Sequence, residues 1–183
     1  MAFVNKTIVN SRTGQQYRFI HTAQSTKGKL LEMESTFSPK SKIPPDHYHP
    51  YQTEDFIVLE GELIVKMEGQ IKILKEGDSL HVPAKKIHSM WNESDGITKV
   101  NWKTQPALNT ENLFETICGL ANEGETNADG IPNILQTALT INKFSSVFRP
   151  AKPPIVILRV LFYLLTPLAY VMGYKPVYKE HLD

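Results

Sequence analysis

Pro45-Asp46-His47-Tyr48-His49-Pro50-Tyr51-Gln52-Thr53-Glu54 is the stretch on which the reading of this chain turns. His47 and His49 are two residues apart, so in a strand both rings point to the same side. Glu54 has the opposite parity and joins that side only if the chain resets its register in between. Pro50 supplies a reason, because proline cannot donate to a β ladder and tends to end regular pairing. After the reset, Glu54, Phe56 and Val58 share the interior face. Two imidazoles and one carboxylate suit a borderline transition metal. A further ligand is expected from a later strand, and His88 is the candidate.

With those residues in view, the chain resembles the cupin superfamily. His47-x-His49, four residues, Glu54, six residues and Gly61 are similar to the first cupin motif. Gly77, five residues, Pro83, then His88, three residues and Asn92 are similar to the second. The resemblance runs from about Ile43 to Asn92. It implies that His47, His49, Glu54 and His88 hold one divalent metal (iron, manganese, nickel or zinc) inside a barrel. Two positions depart from the pattern, because Ser41 and Lys85 stand where the family has glycines. Glycine at such points usually permits a positive φ.

Outward from this stretch the pattern is strand and turn. Phe3 to Val9 and Gln16 to Thr22 are short β-prone runs separated by Ser11-Arg12-Thr13-Gly14, which reads as a hairpin. Lys29 to Phe37 forms another strand, and Pro39, Pro44 and Pro45 break the chain into a loop. Asp55 to Glu60 is apolar at consecutive positions, as in strands covered on both faces. Further short runs continue to about Gln105. The expected fold is mainly β, a double-stranded β-helix (cupin or jelly-roll) barrel over residues 1–105.

Beyond Pro106 the periodicity becomes helical. Asn112 to Ala121 and Pro132 to Phe144 are two helical candidates, and a third starts at Pro153-Pro154 and runs from Ile155 to Met172. Residues 106–183 therefore form a helical extension, expected to pack on the barrel or on a partner subunit of a homodimer. The third segment is almost wholly apolar and reaches the roughly 20 residues of a membrane span. Arg159 and Pro167 weaken that reading. A cover helix over the Phe56 to Leu59 wall, or a subunit contact, is preferred to membrane contact through 155–174.

Composition narrows the function. With 41% hydrophobic residues and a formal net charge of +1, the chain can fill a core and carries no basic footprint for nucleic acid. The single cysteine, Cys118, has no disulfide partner within the chain and reads as a small buried residue. No charged leader followed by an apolar run opens the sequence, so a cytoplasmic protein is expected. His81 reads as a sheet-face residue, His21 and His181 as surface, and Asn92 as a turn residue. Phe56, Met90 and Trp91 read as core, while Tyr48 and Tyr51 flank the ligands near a pocket mouth. The expected activity is that of a metal-dependent dioxygenase similar to quercetinase-like cupins, or an isomerase, acting on a small organic molecule with Glu54 as base. The alternative is a non-catalytic binding or sensor module with a metal in the barrel.

Overall fold

A computed structural model describes residues 2–182, with the side chains of Ile155 and Arg159 outside the description. Ten strands precede the helices: β1 (Thr7–Val9), β2 (Gln16–His21), β3 (Leu31–Phe37), β4 (His47–Tyr48), β5 (Thr53–Glu60), β6 (Glu62–Met67), β7 (Gln70–Lys75), β8 (Ser79–Val82), β9 (His88–Trp91) and β10 (Thr98–Gln105). They are followed by α1 (Thr110–Asn122), α2 (Ile134–Lys143), β11 (Arg149–Pro150) and α3 (Ile155–Val171), then a 3-10 turn at Lys179–His181.

All strand pairs are antiparallel and fall into two sheets. One has the order β1-β2-β3-β10-β5-β8 and the other β11-β4-β9-β6-β7. The expected barrel is therefore a jelly-roll of two facing sheets. Alternation along the strands dictates this packing. In β3, Leu31, Met33, Ser35 and Phe37 are buried while the residues between them are partly exposed. In β10, Thr98, Val100, Trp102 and Thr104 do the same. Leu63, Val65 and Met90 from the second sheet complete a core with Phe19, Phe56 and Val58.

Two turns show why the residues at them are fixed. Glu68 and Gly69 both have positive φ, 51° and 83°, as a two-residue hairpin between right-twisted strands requires. Gly61 joins β5 to β6 at φ 78°, and a Cβ there would lie 2.5 Å from the Ile97 carbonyl oxygen. At the position of the missing family glycine, Lys85 takes φ 69°, so the loop keeps its left-handed residue at a steric cost.

The first helix closes one opening between the sheets. Phe114 packs on Tyr17 at 4.4 Å with the rings tilted by 30°, and meets Trp102 edge-on at 5.4 Å between ring centroids. The buried Gln52 amide donates to the Pro106 and Ala107 carbonyls and to Thr110 Oγ1, which fixes the start of α1. Cys118 is buried on this helix, and burial pushes its thiol up to about 12.

The third helix does not cover the Phe56 to Leu59 wall. Leu158 and Phe162 pack against Ala138 of α2, and Ile57 and Leu59 stay 40% and 43% exposed. The wall is apolar outside because Ile57 and Leu59 alternate with the buried Phe56 and Val58 and point outward. No helix among the described residues is long and apolar enough to cross a membrane. His181 also departs from expectation. Its ring is 3% exposed, lies 3.0 Å from a Glu123 carboxylate oxygen, and occupies the space a side chain at Gly119 would need. His81 lies on the sheet face against Asp55 at 2.7 Å, and His21 is exposed near Glu32.

Candidate metal centre

The motif stretch reaches the interior by changing sheets. His47 lies in β4 of the five-stranded sheet, directly opposite His88 of β9. The chain then crosses at His49 to Gln52 and enters the six-stranded sheet as β5. Glu54 thus faces the histidines from the opposite wall. This crossing, at Pro50, is the reset that the parity of His49 and Glu54 requires, and it takes the form of a change of sheet. Glu54, Phe56 and Val58 share the buried face of β5.

Ligand-type nitrogens of His47, His49 and His88 lie within 4.8 Å of one another. Glu54 Oε2 is 3.2 Å from His49 Nε2 and 2.9 Å from His88 Nε2. Each ring is oriented from behind by a backbone oxygen. His47 Nδ1 meets Pro45 O at 3.0 Å, His49 Nδ1 meets Val147 O at 2.6 Å, and His88 Nδ1 meets Lys86 O at 2.9 Å. A carbonyl only accepts, so each Nδ1 donates and each Nε2 is left for another partner, a proton or a metal. His49 Nε2, His88 Nε2 and Glu54 Oε2 are buried without a well-formed hydrogen bond. Lone pairs and a carboxylate gathered in a buried space repel one another unless a cation or a proton lies among them. The donor set fits a divalent transition metal, since three imidazoles and a carboxylate suit several such ions.

The electrostatics of the metal-free site agree. Burial, reinforced by His88 and His49, pushes the His47 imidazole down to about 3, so it is neutral and ready to coordinate. Burial also acts against a charged His49, but the charge and contact of Glu54 outweigh it and raise that imidazole above its ordinary value. Glu54 is held ionised below the usual carboxylate range. Burial opposes this, and His49 and His88 more than compensate. Loading a metal would displace the proton that His49 otherwise holds.

Beside His47 and His49 lies a cavity of about 150 Å³, which Glu54 and His88 do not themselves line. It is lined by Tyr17, Met90, Trp102, Phe114, Ile117 and Phe148 among others, with His47 and His49 at its polar end and no lysine or arginine. Met90 faces this space, whereas Phe56 is core, Trp91 is buried elsewhere, and neither Tyr48 nor Tyr51 lines it. Asn92 is a structural residue whose amide donates to Ser38 and Gly96 carbonyls.

Three contributors escaped the sequence reading. Trp102 Nε1 donates to Glu54 Oε1 at 2.9 Å, leaving Oε2 as the oxygen turned to the histidines. Phe148 stacks on His47 with 4.7 Å between centroids, and Val147 orients His49. Next to them, β11 pairs with β4, so residues between α2 and α3 extend the sheet that carries His47.

Comparison with known proteins now places the segment. Residues 33–102 match the family described as "Cupin domain". Residues 33–102 are a cupin domain. Quercetin 2,3-dioxygenase of Bacillus subtilis (strain 168) is 41% identical over 106 residues, which is 57% of this chain and 31% of that enzyme. The chain thus spans under a third of the length of the curated relative it matches. Among solved structures, a predicted oxalate decarboxylase from Thermotoga maritima superposes with a TM-score of 0.50 at 19% identity, covering 56% of this chain and 92% of that one. A sugar phosphate isomerase of the cupin superfamily from Silicibacter pomeroyi gives 0.48 at 18% identity, covering 55% and 70%. The cupin domain's likeness to these structures concerns the fold alone.

Proposed function

We propose that the cupin domain holds one divalent transition metal on His47, His49, Glu54 and His88 and acts as a dioxygenase on a small, largely apolar enol or diketone. The observation that carries this reading is the buried Glu54 Oε2, ionised, without a well-formed hydrogen bond, and facing the nitrogens of His49 and His88 behind an apolar cavity that His47 and His49 line. The similarity to a quercetin 2,3-dioxygenase supports the choice of reaction. When bound, the metal would supply Lewis acidity and, for redox-active ions, the electron transfer that dioxygen chemistry requires.

The protein's own groups have separable roles. Trp102 holds Oε1, so Oε2 is the atom able to take an enol proton. Tyr17, Phe114 and Phe148 pack on the flat faces of a ring and keep water away. The cavity has no cationic lining residue, which favours an uncharged or enol substrate over a phosphorylated one. Its volume of about 150 Å³ is below the roughly 300 Å³ at which ordinary ligand pockets begin. Small diketones fit the closed form, and flavonol-sized molecules require Phe148 to move.

The test is oxygen uptake by protein reconstituted separately with iron, manganese, nickel and zinc, offered flavonols and smaller diketones. Uptake matching substrate loss, abolished in folded Glu54→Gln, is the expected result. Conversion without uptake and with unchanged mass would instead make it an isomerase. Metal-dependent binding without any conversion would make it a binding module.

A further inference from the structure

The third helix leaves an apolar face uncovered. Among the described side chains, a stripe through Leu158, Phe162, Leu165, Thr166 and Ala169 turns toward α2 or its surroundings. On the other side Val156, Val160, Leu164 and Val171 are 67%, 60%, 66% and 86% exposed, and Tyr163 and Tyr170 stand at the flank of this arc. A continuous apolar face of that kind marks a surface with an occupant. The helix has 17 residues, so at about 1.5 Å per residue it is roughly 26 Å long, shorter than a bilayer's hydrocarbon core of about 30 Å.

Charge identifies the occupant. From Gly130 to Lys179 the chain has no aspartate or glutamate, and its basic residues are Lys143, Arg149, Lys152, Arg159, Lys175 and Lys179. The rest of the chain is net acidic, with 14 lysines and arginines against 19 aspartates and glutamates. Lys143, Arg149 and Lys152 lie before the start of α3, and Lys175 and Lys179 lie after its end. None of these five is ion-paired among the described residues. Asn133 at the start of α2 bonds Tyr174 after α3, so the two helices form an antiparallel hairpin with basic groups at both ends. Two copies meeting through α3 would bring Lys143, Arg149 and Lys152 together with no carboxylate from residues 130–179 to offset them, whereas Lys175 and Lys179 have Glu123, Glu125 and Glu180 near them. An anionic lipid surface satisfies both features, taking the apolar arc into the acyl boundary and the lysines at headgroup level.

We propose that the α2–α3 hairpin docks on anionic membrane surfaces, with α3 lying in the plane of the interface. This is independent of the metal chemistry.

The test is co-sedimentation of the full chain with phosphatidylcholine vesicles, with and without phosphatidylglycerol, alongside light scattering without lipid. Binding is expected to the anionic vesicles, to weaken with salt, and to fall by at least an order of magnitude for Val160→Glu combined with Leu164→Glu. Lys152→Ala with Lys175→Ala, which leaves the apolar arc intact, is expected to weaken binding by roughly an order of magnitude. Absence of binding to anionic vesicles by a folded protein overturns the proposal. So does equal binding to vesicles without phosphatidylglycerol. A dimer in solution that the glutamate pair dissolves, with no vesicle binding, assigns the face to a second copy instead.

Discussion

Replacing Trp102 with phenylalanine isolates what one hydrogen bond does for the proposed metal site. The indole N–H donates to Glu54 Oε1 at 2.9 Å, and the carboxylate is 1% exposed. A hydrogen bond to a charged group contributes about 1.5–3 kcal/mol, and losing such an outer partner typically weakens metal affinity about 10- to 100-fold. Phenylalanine keeps most of the ring packing on Phe56 and Phe114. The loss of fold stability should therefore stay below the roughly 3–5 kcal/mol of truncation to alanine. Competition titration against a chelator gives the metal dissociation constant, and thermal melting of the metal-free protein gives the packing loss separately. The expected result is metal binding weaker by one to two decades with a modest drop in Tm. If Trp102→Phe binds metal within about twofold of the parent while Glu54→Gln does not, the indole has no positioning role.

Metal affinity should fall as the pH drops, because loading must displace a proton from His49, whose affinity for it lies above the ordinary 6.5. Since His47 protonates only near about 3, the loss measured by chelator competition should correspond to fewer than three protons across the neutral to mildly acid range. Phe148→Ala should widen the cavity beside His47 and improve the apparent affinity for flavonol-sized molecules several-fold more than for small diketones. Calorimetric titration of both classes checks this, and an equal effect on each would refute the assignment of Phe148 as the size limit.

The groups readable in the sequence were those whose spacing is local. His47, His49 and Glu54 lie within one short stretch, and His88 sits at a fixed distance from Gly77 and Pro83. The hairpin of β1 with β2 was readable because a turn signal separates two β-prone runs. Trp102 and Phe148 had no such signal. They are brought to the site by strand order and by the return of the chain after α2, which no window of sequence encodes. That the chain resets between His49 and Glu54 was readable from parity, but not that it does so by changing sheets, since a change of sheet and a slip of register leave the same parity in the sequence. The third helix is apolar on nearly every side, so its pattern contained no stripe to say which face would meet protein. His181 reached a buried site because Gly119 leaves room for its ring, a complementarity that only the folded chain displays.

The strand at Arg149–Pro150 has a practical consequence for anyone dissecting this molecule. Together with Val147 and Phe148 it supplies a neighbour to β4, the carbonyl behind His49 and the ring over His47. Severing the polypeptide after its tenth strand would leave a wall with its mortar removed, and inactivity in such a fragment would say nothing about whether the intact protein works.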